Sequence, residues 1–204
     1  MEGKAALLIV DVQNDFCPGG SLQIPNGDRV VDPINRAAEL FASRGLPVLA
    51  SRDWHAPVTR HFREYGGVWP VHCVQWTQGA DFHPALRLPR GTLVLSKGTD
   101  PGLDGYSAFE GVREDGKPLR AVLDHLGVRH LYIGGLATDY CVLFTAREAL
   151  RSGFAVTVLT DAVAGVDVLP GDSDRALGEM SQAGVRLATV AAVEAVYSME
   201  LPEQ

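Results

Sequence analysis

Six short apolar runs recur along the chain, at residues 5–12, 47–51, 92–95, 130–133, 155–159 and, more weakly, 185–189. The first, AALLIVDV, is dense in branched apolar residues and ends in an acid, the character of a parallel strand buried on both faces. Between the runs lie stretches with helical periodicity at 27–43, 118–126, 139–152 and 173–182. Strands alternating with helices of this length form βαβ units, whose right-handed crossovers place helices on both faces of one sheet. The expectation is therefore an α/β fold: three αβα layers around a mostly parallel sheet of roughly six strands. With 46% apolar and 21% charged residues over 204 positions, the chain can bury the core of a single domain spanning 1–204. One connection breaks the rhythm. Residues 54–91 have little periodicity yet carry four of the six histidines and all three tryptophans, and a loop that long inside a compact domain usually has a function.

The charge balance narrows the partners. A formal net charge of −7, with 18 Lys and Arg scattered along the chain, excludes nucleic acid and anionic membranes and suits a small, weakly polar substrate. Cys17, Cys73 and Cys141 are too few, and odd in number, for a disulfide framework, and read as reduced thiols. The apolar run behind Met1-Glu2-Gly3-Lys4 is too brief for a signal peptide or a membrane span, so a cytoplasmic location is expected. Whether the protein is a monomer or a homo-oligomer is left open by the sequence.

Ligands of open parallel sheets bind beyond the carboxyl ends of the strands, so the polar residues ending each run are the ones to weigh. They are Asp11, then Asp53 with His55, then Lys97, then Cys141 behind Gly134-Gly135 at the start of a helix. In the first turn of a helix, free N–H groups and the positive end of the dipole favour a thiolate. A free thiol is mostly protonated at neutral pH, so catalysis by Cys141 needs a lowered pKa or a nearby base. Asp11 is the candidate base, and Lys97 the cation that orients it. Each residue also has an ordinary structural role open to it, and the three together carry the argument. Asp53 and His55, two apart on an extended segment, face the same side and can share a metal, with His72 as third ligand. Such nitrogen and oxygen donors suit zinc, iron or manganese. His61 is a candidate fourth ligand or outer partner, His83 reads as ordinary loop, and His125 and His130 as surface positions.

Several segments together resemble a known family. They are Val10-Asp11-Val12-Gln13-Asn14-Asp15-Phe16-Cys17, Ser51-Arg52-Asp53-Trp54-His55, Trp69-Pro70-Val71-His72-Cys73, Lys97-Gly98, Tyr106-Ser107-Ala108-Phe109 and Gly135-Leu136-Ala137-Thr138-Asp139-Tyr140-Cys141-Val142. In this order and spacing they resemble the nicotinamidase/pyrazinamidase family of isochorismatase-like cysteine hydrolases. The resemblance implies hydrolysis of nicotinamide to nicotinate and ammonia, a step of NAD salvage, with pyrazinamide also accepted. It implies a catalytic triad of Asp11, Lys97 and Cys141, working through a thioester. It implies a divalent metal, zinc or iron with manganese as a further candidate, on Asp53, His55 and His72. His61 matches a ligand position of some members, and the metal would anchor the ring nitrogen. A cis peptide at Leu136–Ala137 and an oxyanion hole of the Ala137 and Cys141 N–H groups also follow from it. Phe16, Trp69, Gln13 and Tyr106 are the expected substrate-binding residues, Gln13 and Asn14 also supporting their loop, while Phe109 reads as core filler. The sequence departs from the family pattern at Ala108, often Gly, and in the short loop between His55 and His72.

Three other readings compete. Another amidohydrolase of the superfamily, acting on a carbamoyl or ureido compound, would keep the triad without the metal ligands. A hydrolase using metal-bound water would leave Cys141 a bystander. A non-catalytic α/β ligand-binding module would need none of the three triad residues.

Overall fold

The computed structural model describes residues 3–199 of the chain. Met1, Glu2 and residues 200–204 of the single domain expected over 1–204 lie outside the described residues. Six strands form one sheet: β1 (Lys4–Val10), β2 (Val48–Asp53), β3 (Leu93–Lys97), β4 (Val128–Leu136), β5 (Ala155–Ala164) and β6 (Arg186–Ala188). Every strand pairing is parallel, in the order β3-β2-β1-β4-β5-β6. The helices are α1 (Val31–Ser43), α2 (Leu119–Leu126), α3 (Leu143–Arg151), α4 (Asp172–Gln182) and α5 (Val190–Met199).

The alternation of side chains along β1 sorts the core into two layers. Ala6, Leu8 and Val10 face Leu123 of α2, Ala146 of α3 and Met180 of α4. Leu7 and Ile9 face the opposite way, toward Ile34 and Phe41 of α1 and Val193 of α5. Three αβα layers result. Among the described residues no helix is long and apolar enough to cross a membrane.

Several expected boundaries move. β2, β3 and β5 run past their apolar runs to Asp53, Lys97 and Ala164, because charged residues at strand ends still pair: Asp53 is in register with Lys97. The helix expected at 139–152 begins as a π-helical turn over Thr138–Val142, with the Val142 N–H donating back to the Ala137 carbonyl, and continues as α3. Cys141 therefore sits in a π turn rather than in the first turn of an α-helix. Helix α5 was absent from the expected elements. His130 is not a surface position either: it is half-buried, stacks on Tyr132 with ring centroids 4.4 Å apart, and bonds Thr157.

The long connection after β2 holds only two single 3-10 turns, Arg63–Tyr65 and Gln78–Ala80. Isolated bridges at His55–Val74, Phe62–Trp69 and Gln13–Phe82 fasten it over the carboxyl end of the sheet.

Candidate active site

Strand order reverses between β1 and β4, and that crevice is where an open parallel sheet receives a ligand. Asp11 follows β1 with a φ of 50°, a left-handed conformation that Asp tolerates better than branched residues. Cys141 follows β4, while Asp53 and Lys97 end β2 and β3. The Lys97 ammonium lies 2.8 Å from Asp11 Oδ2, 2.5 Å from Asp53 Oδ1, 2.9 Å from the Gly105 carbonyl and 3.4 Å from Cys141 Sγ. Asp11 Oδ2 thus faces the ammonium, while Oδ1 accepts from Ser51 at 2.7 Å. All these groups are buried.

Burial decides the proton inventory. Removal from water disfavours charge on each group, and neighbouring charges then adjust the balance. Burial raises the Asp11 pKa; Lys97 opposes the rise and Asp53 adds to it. For Asp53, burial is outweighed by Lys97 and His55, and its carboxyl is held well below the usual range. Burial would neutralise Lys97, yet Asp11 and Asp53 overcome it and hold the ammonium charged. The Cys141 thiol is pushed well above its ordinary value, chiefly by burial, against the pull of Lys97. Of the two routes the sequence left open, a lowered thiol pKa or a nearby base, the upward shift favours the base, Asp11.

A second cluster adjoins the first. His55, His61 and His72 each offer a ring nitrogen, all within 4.8 Å of one another. Each ring is held from outside through Nδ1: His55 by the Gly98 carbonyl at 3.1 Å, His61 by Asp104 at 3.0 Å and His72 by the Pro70 carbonyl at 2.8 Å. That arrangement directs the Nε2 lone pairs inward, as outer partners of metal-bound histidines do. Asp53 Oδ2 lies 3.7 Å from His55 Nε2 and 3.9 Å from His72 Nε2. The buried His55 Nε2 has no hydrogen-bond partner, a cost that a bound cation would remove. Burial lowers the His72 pKa to about 4, which keeps the ring in the neutral form a metal requires. The four residues fit a divalent metal.

Between the clusters opens a small cavity that Asp53, His61, His72 and Cys141 all line. Phe16 and Trp69 line it, as do Ala137 and Cys141, and the peptide between Leu136 and Ala137 is cis. Residues 5–192 match the family described as "Isochorismatase domain". The chain belongs to the isochorismatase family. The nicotinamidase of Escherichia coli K12 is 43% identical over 91% of this chain and 95% of its own length. A pyrazinamidase of Pyrococcus horikoshii, solved in complex with zinc, superposes with a TM-score of 0.84 at 43% identity, covering 91% of this chain and 99% of that one. A protein of L. infantum solved in complex with nicotinate has a TM-score of 0.84 at 37% identity, covering 93% and 94%.

In this isochorismatase-family protein Gln13 does not line the cavity, contrary to expectation. Its side-chain amide is spent on the backbone: it donates to the carbonyls of Asp53 and Ala80 at 2.8 and 2.9 Å and accepts from the Asp53 N–H at 2.7 Å. It locks the end of β2 rather than touching a ligand. Tyr106 is in place, its hydroxyl accepting from Trp69 Nε1 at 2.9 Å. Leu22, Ile24, Tyr140 and Val166 complete the wall and were missed. Tyr140 was within reach, standing beside Cys141; the other three have no signal in the sequence. Phe109 packs near Phe154, centroids 6.0 Å apart, away from the cavity lining.

Gly98 is needed where it is. Its φ is +64°, and a Cβ there would lie 2.4 Å from His55 Cε1. Gly98→Ala should therefore turn the His55 ring and weaken zinc binding by about tenfold or more. Competition against a chromophoric chelator measures this, and parent-like affinity would show that the ring has room to relax.

Proposed function

We propose that the protein is a nicotinamidase, hydrolysing nicotinamide to nicotinate and ammonia and accepting pyrazinamide, as a step of NAD salvage. One observation carries the reading: Cys141, packed in a buried cluster with Asp11 and Lys97, lines the same small aromatic-walled cavity as Asp53, His61 and His72 of the neighbouring donor set. The nicotinamidase and pyrazinamidase relatives, one with zinc and one with nicotinate, support the same substrate class. The single sheet and the absence of a membrane-spanning helix among the described residues support one catalytic domain. Three unpaired cysteines support a cytoplasmic setting.

Asp11 accepts the proton of Cys141 Sγ, and the sulfur attacks the carboxamide carbon. Lys97 stays charged, holding both carboxylates and compensating the transferred proton. The N–H groups of Ala137 and Cys141, two residues that line the cavity, receive the oxyanion. Asp11 returns its proton to the departing nitrogen, ammonia leaves, and the acyl group remains on sulfur. Water, deprotonated by Asp11, then attacks the thioester, the carbon–sulfur bond breaks, and the thiol is restored. Phe16 and Trp69 hold the flat ring so that its carboxamide meets the thiol. When bound by Asp53, His55, His72 and His61, a divalent metal supplies a Lewis acid for the ring nitrogen.

Ammonia release from nicotinamide by purified protein, before and after chelation, is the test. We expect release that falls about tenfold or more on chelation and returns when zinc is restored. No release from protein shown to hold zinc would point to another amide. No release and no zinc binding would favour the metal-free relatives or a binding module.

A further inference from the structure

Asp104, Gly105 and Tyr106 are consecutive, and each fastens a different part of the site. The Asp104 carboxylate meets His61 Nδ1 at 3.0 Å, the Gly105 carbonyl accepts from Lys97 Nζ at 2.9 Å, and the Tyr106 hydroxyl accepts from Trp69 Nε1 at 2.9 Å. The segment is pinned at its base by two glycines with φ of +64° and +73°. A Cβ on Gly105 would lie 2.5 Å from Gly98 Cα, so the strap can return over His55 only with glycine at both places. From the other side it receives the Arg60 N–H and Thr59 hydroxyl on the Pro101 carbonyl.

Of the three histidines, His61 is the one whose outer partner is a side chain. His55 and His72 are held by backbone carbonyls, which cannot leave without moving the chain. The His61 partner is a carboxylate whose side chain is 53% exposed, outside every motif that marks the site in the sequence. We infer that Asp104 is the positioning residue of this cluster, holding the His61 ring so that its inner nitrogen completes the donor set with Asp53, His55 and His72. The inference rests on the proposed metal site. A carboxylate on Nδ1–H fixes the tautomer and raises the basicity of Nε2, and loss of such outer partners costs about 10–100-fold in metal affinity. Because the same strap carries Gly105 and Tyr106, an ordered His61–Asp104 pair also keeps Lys97 and Trp69 at their partners.

The test compares the parent, His61→Ala, Asp104→Ala and Asp104→Asn, each checked for parent-like circular dichroism. Zinc affinity is read by chelator competition, and cobalt(II) absorption reports the donor set independently of turnover. Asp104→Ala should weaken zinc about 10–100-fold and move the cobalt spectrum toward that of His61→Ala. Asp104→Asn, whose amide oxygen still accepts from Nδ1–H, should recover most of the affinity and the parent spectrum. Parent-like affinity and spectrum in Asp104→Ala, with His61→Ala altered, would overturn the positioning role alone. An unaltered His61→Ala would remove His61 from the donor set and the inference with it. A parent that binds neither zinc nor cobalt would overturn the metal site itself.

Discussion

Cys141→Ala should lower ammonia release from nicotinamide by on the order of 10⁴-fold or more, with zinc affinity unchanged. The sulfur lies 3.4 Å from Lys97 and within 4.8 Å of the Asp11 and Asp53 carboxylates, whereas the three histidines form a cluster of their own. Removing the sulfur therefore leaves every proposed metal ligand in place, although Asp53 belongs to both clusters. Cys141→Ser sharpens the result. A serine hydroxyl beside the same base is a far weaker nucleophile, so this variant should be nearly as inactive. Turnover near that of the parent in either variant would place the nucleophile elsewhere than on sulfur and remove the thioester from the scheme.

Lys97→Met should cost both activity and stability. The ammonium bridges Asp11 and Asp53, and without it two buried carboxyls face each other with no cation between them. Breaking a buried ion pair by removing one partner costs about 3–5 kcal/mol. The pH dependence follows from the directions of the shifts. Asp53, depressed by Lys97, contributes stability that is present above its unfolded value of 3.8 and is lost as pH falls through the folded value. In the variant the depressing charge is gone and burial dominates, so a carboxyl pKa rises above its unfolded value. Its contribution is then full below that unfolded value and is lost as pH rises. The stability gap between parent and variant should accordingly narrow between about pH 7 and about pH 5. The acid limb of any residual kcat/KM should move to higher pH, because Asp11 loses the group that opposes its desolvation. Urea denaturation at several pH values measures the first effect, and a gap that is constant with pH would refute it.

What the sequence made legible depended on which physical term dominated. Strands buried on both faces are apolar runs, so β1, β4 and β5 stood out, and Asp11 behind β1 and Cys141 behind β4 lie where the sheet rule puts a site. Asp53 and Lys97 read as the residues that follow two shorter runs, and cross-strand pairing makes them the last residues of β2 and β3. Helix α5, VAAVEAVYSM, is apolar almost all round and lacks the polar stripe that marks an amphipathic helix. The sequence left open whether Cys141 works through a lowered pKa or a nearby base. Helix-start electrostatics can be read from spacing, whereas desolvation by packed neighbours cannot. Gln13 has two roles open to it in the sequence, ligand contact and loop support, and its backbone hydrogen bonds are those of the second. Asp104 belongs to no motif, because its meaning lies wholly in what it touches.

The order of the strands also sets a timetable for synthesis. β1, apolar from Ala5 to Val10, is made before both of its partners, for Leu7 pairs on one side with Val48 and on the other with Tyr132. The centre of the sheet therefore cannot close until most of the chain has been translated, and non-local parallel pairing of this kind is slow and exposed to aggregation. Until then the nascent chain carries an unpaired hydrophobic strand that invites chaperones. Asp11 and Cys141, on either side of that closure, meet only when it is complete, so a half-made chain has no working nucleophile.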